Sequence, residues 1–420
     1  MQPITRALVH AGLVLALAAG GSAQARHLLE DFEAALRHEP TFAAAQMQTR
    51  NMRIDANVAS AAYYPRASIS LSQDANDNST RRTARVVQPI VSADRWLTTR
   101  EATPRESMAN QLDAQSRIEL ANRVFGAVRD LALSREKLAL YQANLQSLEA
   151  QNQSAVMASQ LGQGTITDVL DTQLRLAQAR SQILRLQAEH EAARRAYASI
   201  TGYLPARDVY PLSPRKLDEF TLPPLQELID QTLQTNPRMQ LERQATQLTS
   251  IQARRARAQF LPSLNATWQR SQTANATNNL SGVVLSLDLP LQYSSVYAFE
   301  SADNNLLAQQ QKERATSEGL QLDVQRLHAL AVAAQQEVAI TREGMDAAAL
   351  SVTATEQSFA GGVRSKLDVL NALQAELSAR EAHLTAQMNL AQTLLTLRLL
   401  AAHDIPTVLA DLQRQLFDGA

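Results

Sequence analysis

The sequence predicts a mainly α-helical chain that carries membrane-type β-strands and is built as an internal two-fold repeat. Three observations predict it. Landmark residues recur about 200 positions apart in the same order. Long stretches free of helix breakers keep a heptad of apolar residues, and short alternating segments lie at the far ends of those stretches.

The landmarks come in pairs. Glu39-Pro40 is followed by Tyr64-Pro65 at the spacing that separates Asn236-Pro237 from Leu261-Pro262. Gly162 precedes Asp168 as Gly362 precedes Asp368, and each aspartate opens an Asp-Val-Leu run. Such self-similarity marks one structural unit used twice. It divides the chain into a first repeat at 26–202, a connection at 203–224, a second repeat at 225–402 and a tail at 403–420. The proline-rich connection reads as an irregular belt at the equator, which the tail either joins or leaves free.

Composition excludes several classes. A formal net charge of −1 argues against a nucleic-acid binder. Aromatic content of 4% beside 45% hydrophobic residues, much of it alanine, suits closely packed long helices better than a thick core. Residues 1–25 read as a secretory signal, with Arg6, an apolar run from Ala11 to Ala19 and the small-x-small site Ala23-Gln24-Ala25. That run is too short to span a bilayer. Without cysteine, neither disulfides nor a lipidated N-terminus can form.

From Ser92 to about Leu161 the only proline is Pro104, which predicts a helix on the order of 100 Å long at about 1.5 Å per residue. Val124, Leu131, Leu138 and Leu145 mark one heptad site; Ala127, Ser134, Tyr141 and Leu148 mark the other. Val324, Ala331, Val338, Met345 and Val352 repeat the frame, with Leu327, Ala334, Thr341, Ala348 and Thr355. A period of about 3.5 is a coiled-coil seam. The return segments carry Leu170, Leu174, Ala177 and Leu184, and Leu370, Leu377 and Leu384, so each half is an antiparallel hairpin.

Four strands are predicted, at about 66–75, 81–90, 263–270 and 282–290. Ala67, Ile69 and Leu71 alternate with serines; Leu264, Ala266 and Trp268 alternate with Ser263, Asn265 and Thr267; Val283, Leu285, Leu287 and Leu289 do the same. Arg85 and Gln88 disturb the second strand. Polar linkers at 74–80 and 271–279 join each pair into a hairpin. Alternating segments of about ten residues suit a membrane β-strand, although a soluble sheet also solvates one face. Four strands cannot close a barrel, and lipid tolerates no open edge. The chain must then oligomerise, as a dimer with eight strands or a trimer with twelve.

These residues resemble the outer-membrane efflux and secretion channel family, of which TolC is the best-known member. The resemblance rests on the opening from Leu29 to Phe42, the Pro65 and Pro262 strand entries, the Gln88-Pro89 and Leu289-Pro290 strand exits, and the two Gly-x5-Asp-Val-Leu turns. It implies a homotrimer with a twelve-stranded barrel in the outer membrane, continued across the periplasm by a helical tunnel. It also implies work with a periplasmic adaptor and an inner-membrane transporter, as the passive exit duct of an efflux pump or type I secretion system. The Glu39-Pro40-Thr41-Phe42 opening is more like the type I secretion branch than the lipoprotein branch.

The two turns lie at the hairpin ends farthest from the strands, at the periplasmic mouth. Thr165 to Asp168 and Ser365 to Asp368 both read as Ser/Thr-x-x-Asp helix starts, so the aspartates are capping candidates. If chains converge, Asp168 and Asp368 also form carboxylate rings that favour cations. By the resemblance, Arg364 helps hold the closed entrance, pairing with Asp168 or bonding to Thr167 on a neighbouring hairpin. Gly162, Gly164, Gly362 and Val363 correspond to the tip that docks the adaptor. Ser159 departs from the aromatic residue common there, whereas Phe359 keeps it.

Enzymatic readings find little support. The histidines show no His-x3-His spacing, the glycines form no P-loop or Gly-x-Ser-x-Gly, and the pair Asp168/Asp171 has no visible acid–base partner. No catalytic residue, metal or cofactor is expected. The competing class is an exported coiled-coil scaffold or adaptor without a pore.

Overall fold

The computed structural model describes residues 27–73, 80–205, 210–212, 222–273, 276–286 and 294–417. The expected signal segment and the Leu289-Pro290 exit lie outside them. Both early prolines begin helices. Glu39 accepts the Phe42 N–H at 2.6 Å and Asn236 accepts the Arg238 N–H at 2.9 Å, each just ahead of a proline in the first helical position. Proline suits that position because its missing N–H would have no helical partner there. These caps start α2 (Pro40–Ser60) and α7 (Pro237–Ala258), which follow the short helices α1 (Leu28–His38) and α6 (Leu225–Thr235).

Strands β1 (Arg66–Gln73), β2 (Thr80–Val91), β3 (Ser263–Gln272) and β4 (Thr277–Ser286) form one antiparallel sheet in chain order. Strand β4 starts well ahead of the expected 282. Asn278 and Asn279, read as linker, pair instead with Ser271 and Arg270. Beyond the last ladder pair the Thr273 N–H donates to the Ala276 carbonyl at 2.8 Å.

Residues paired across strands share a face. One face carries Ala67, Val86 and Trp268, then Ala266 with Val283 and Leu264 with Leu285. Ile69, 88% exposed, and Leu71 extend it. Arg82 and Arg270 join this face only toward the loop end. The other face carries Ser68, Arg85 and Gln269, and Ser70, Thr83 and Ser271. Arg85 therefore does not interrupt the alternation. Gln88 does lie on the apolar face, at the helix end of the sheet, where its Nε2 donates to the Tyr63 carbonyl at 2.7 Å.

Below the sheet the expected single helix is two, α3 (Ala93–Arg100) and α4 (Ala102–Gln160). Pro104 explains the break: it has no N–H for the Arg100 carbonyl and its ring crowds that carbonyl. Helix α8 (Ser294–Ala360) carries no proline and runs unbroken for 67 residues, about 100 Å at 1.5 Å per residue. Helices α4 and α5 (Ile166–Thr201) form one antiparallel hairpin, α8 and α9 (Lys366–Leu400) the other. Val124, Leu131, Val324, Ala331, Val338 and Val352 are buried along the seams, as the heptad requires.

One return stripe behaves otherwise. Leu370 and Leu377 on α9 are buried, whereas Leu170, Leu174 and Leu184 on α5 are exposed, and Val169, Leu176, Ile183 and Leu186 fill the hairpin interior instead. The predicted α5 stripe thus points away from its own chain. It is an unpartnered edge, matched on α8 by exposed Leu322, Ile340 and Leu350.

The main core sits at the equator, where α1, the start of α2, the middle of α4, the end of α9 and α10 (Ile405–Leu416) meet around Phe32, Phe42, Phe125, Leu394 and Leu409. Helix α10 draws most of the tail into that core. Beside it lies the fully buried Asp31. Its carboxylate accepts hydrogen bonds from Tyr197 at 2.6 Å and from Tyr203 and Tyr210, tying α1 to α5 and the connection.

Candidate functional site

The two hairpin tips repeat one local design. Helix α4 ends with Gly162 at φ 71°, the Gly162 N–H on the Ser159 carbonyl and the Gln163 N–H on the Ala158 carbonyl at 2.9 Å. Helix α8 ends identically: Gly362 has φ 75°, with its N–H on Phe359 and the Val363 N–H on Ser358 at 2.9 Å. These are Schellman motifs, and their left-handed residue favours glycine because it has no Cβ to crowd the following carbonyl. Gly164 is not held there by conformation: a Cβ would lie 3.1 Å from the Ala158 Cβ, a close contact, and Arg364 takes the equivalent place in the other tip.

The return helices begin with complete capping boxes. The Asp168 N–H donates to Thr165 Oγ1 at 3.2 Å, and the Thr165 N–H donates to Asp168 Oδ2 at 3.1 Å. Ser365 and Asp368 repeat both bonds at 3.2 and 2.9 Å. Aspartate serves in place of the usual glutamate because the threonine or serine hydroxyl also donates to it, at 2.6 and 2.8 Å. The Ser365 N–H and hydroxyl, reinforced by Arg364, hold the Asp368 carboxyl below its ordinary pKa. Both aspartates are thus helix caps.

Within the chain, Arg364 lies 3.9 Å from Asp368 of its own turn. Thr167 shares a 2.7 Å hydrogen bond with Thr165. Val363 projects into solvent at 82% exposure; Phe359 and Leu367 of the same tip are exposed too, as are Leu161 and Ile166 of the other. The tips stand side by side, linked where Arg175 donates to Asn371 Oδ1 at 2.6 Å.

Sequence reasoning overlooked Lys366. Its ammonium sits 5.3 Å over the Phe359 ring, and burial lowers its pKa while Glu356 and Asp168 oppose that shift. It is thus the cation of the second tip that feels the acid of the first. The signal was present: Lys366 occupies the place of Ile166 in the other repeat. Among the described residues no cluster of His, Asp and Glu could hold a metal ion, and no helix is long and apolar enough to cross a membrane.

A four-stranded sheet with one apolar face, standing on paired helical hairpins with capped acidic tips, is the architecture to set beside known proteins. The sequence model of outer membrane efflux proteins matches residues 32–203 and 228–403, and the chain belongs to that family. It is 25% identical over 385 residues to the alkaline protease secretion protein AprF of Pseudomonas aeruginosa, covering 84% of this chain and 79% of that protein. It is likewise 25% identical over 404 residues to the proteases secretion protein PrtF of Dickeya chrysanthemi, covering 88% and 86%. The crystal structure of the outer membrane protein VceC of Vibrio cholerae superposes with a TM-score of 0.74 at 16% identity, covering 90% of this chain and 96% of that one. The protein is therefore an outer-membrane transport channel that reaches into the periplasm, in a family of transporters rather than enzymes.

Proposed function

We propose that three copies of this chain form the outer-membrane exit duct of a type I secretion system, passing polypeptides outward without an energy source of their own. One observation carries the reading: the four-stranded sheet leaves β1 and β4 unpaired at its two edges while one face is apolar and exposed. Lipid accepts neither an open strand edge nor an unclosed sheet. Pairing β1 of each copy with β4 of the next satisfies both, and three copies give the twelve-stranded barrel of the family. The exposed leucines of α5 and α8 then meet head to tail below it, a heterologous contact that closes into a ring.

In this reading residues 1–25 are removed on export, 26–202 and 225–402 are the two repeats, and 203–224 and 403–420 form the equatorial belt. The tips, with Gly162, Gly164, Gly362 and Val363, dock a periplasmic adaptor that links the duct to an inner-membrane transporter. Asp168, Asp368, Arg364 and Thr167 line the aperture. Arg364 holds the resting entrance closed by reaching Asp168 or Thr167 of a neighbouring hairpin. The polypeptide cargo follows the names of AprF and PrtF, both protease secretion proteins.

Reconstitution of the mature chain in planar bilayers tests this. Discrete single-channel conductance, with crosslinking that stops at three copies, supports it. A monomer that stays in the soluble fraction and carries no current refutes it.

A further inference from the structure

We propose that Trp96 and Arg100 form a phospholipid-headgroup anchor on the outer side of the wall, one step below the sheet. The inference rests on the reading that the apolar face of the sheet meets lipid. The sidedness follows from α3 itself. Leu97 packs against Ile251 and Ala258 of α7, so it points along the wall. Arg95 and Thr98, with Arg66 at the head of β1, line a cavity of about 570 Å³ on one side. Arg66 pairs with Val87, and Val87 with Thr267, which puts it on the polar face of the sheet. Trp96 and Arg100, one helical turn apart, project from the opposite side of α3, the side that continues the apolar face.

The two sides also differ in how their arginines are neutralised. Arg105 pairs with Glu101 at 2.8 Å, and Arg255 pairs with Asp94 at 2.8 Å and Glu101 at 3.1 Å. Among the described residues no carboxylate pairs with Arg100. Its guanidinium lies instead 4.8 Å over the Trp96 ring, and the indole is 50% exposed. A stacked guanidinium keeps its donors free for an outside anion, and a phosphate matches their fork.

Height along the wall selects that anion. Ser92 caps α3 by accepting the Arg95 N–H, and its carbonyl accepts the Tyr63 hydroxyl at 2.9 Å, which pins the helix to the base of the sheet. Trp96 sits in the first turn of α3, past Val91, the last residue of β2; two extended steps of about 3.3 Å and three helical steps of about 1.5 Å put it at most about 11 Å below the sheet. Tryptophan favours that interfacial depth, with an apolar ring and a wet N–H. The occupant is therefore a phospholipid phosphate of the leaflet that faces the periplasm.

The chain holds only two tryptophans, so each can be left as the sole fluorophore. Trp268→Phe reports on Trp96, and Trp96→Phe reports on Trp268 in the sheet. The full mature oligomer is reconstituted in phosphatidylethanolamine vesicles with graded phosphatidylglycerol and nitroxide labels at the headgroup or deep in the acyl chain. Trp96 should be quenched more by the headgroup label and Trp268 more by the deep one. Adding Arg100→Ser should abolish the dependence of Trp96 quenching on phosphatidylglycerol. If Trp268 is quenched while Trp96 answers to neither label, or Arg100→Ser changes nothing, the anchor is refuted and the membrane reading stands. If neither tryptophan is quenched by lipid, both fall.

Discussion

Asp31→Ala should destabilise the protein more than any single change at the tips. The carboxylate is fully buried and accepts three phenolic hydroxyls, from Tyr197, Tyr203 and Tyr210. Removing it does not orphan all three, because Tyr197 and Tyr203 also bond each other at 2.9 Å. Tyr197 can turn its donor to the half-buried Tyr203, so Tyr210 is the buried donor that loses its partner. At about 1–3 kcal/mol for an unsatisfied buried donor, the loss is at least about 1–3 kcal/mol. Tyr210 aggravates it: its φ of 62° is unfavourable for a tyrosine, and it is held by this bond and by the Phe417 ring at 4.8 Å. At about 2 °C per kcal/mol for a large chain, the thermal midpoint should fall by roughly 2–6 °C or more. Far-ultraviolet circular dichroism of the detergent-solubilised protein measures it. Tyr197→Phe, which leaves Asp31 two donors, should produce a smaller drop. If Asp31→Ala melts with the wild type, the bonds to the carboxylate contribute no stability and the reasoning is wrong.

Three further outcomes are expected. Tyr141 donates to Glu381 at 2.8 Å, and burial, then that carboxylate, push its phenol up to about 12 from an ordinary 10. Its contribution is whole below pH 10 and disappears as the pH rises to about 12, so Tyr141→Phe should remove one late-titrating step from tyrosinate absorbance. Gly362→Ala places a side chain at φ 75° and should cost about 1–2 kcal/mol locally, visible as faster proteolytic nicking near residue 362. Arg364→Ala should raise the resting single-channel conductance. Its 3.9 Å pairing with Asp368 is solvent-exposed and contributes little to stability, so the melting temperature should not move.

The elements with strong periodicity were legible in the sequence. The heptad at Val124, Leu131, Val324 and Val338 marks buried seams, and the alternation at Ala67, Ile69 and Leu71 marks one face of a strand, because both are set by neighbours a few residues away. What depends on distant partners was not. The start of β4 is fixed by register against β3, which pulls the polar Asn278 and Asn279 into the ladder against their composition. Leu170 and Leu174 carry core-like spacing yet face outward, since periodicity tells that a stripe is apolar and not which neighbour covers it. Asp31 and its three tyrosines come from α1, α5 and the connection, and no local pattern unites them. At the tips, the glycines and caps were readable because the motifs are local. Lys366 was missed because its meaning comes from Phe359 and from Asp168 on the other hairpin.

At the hairpin tips every amide from 161 to 164 and from 361 to 364 bonds a carbonyl of its own helix end, and Thr165 and Ser365 bond the capping aspartates. The loop backbone therefore asks nothing of the side chains at 163, 363, 364 or 366. A lineage could exchange those residues freely and acquire a new assembly partner without rebuilding the scaffold. Tip grafts between related ducts should accordingly transfer pump compatibility as small interchangeable cassettes.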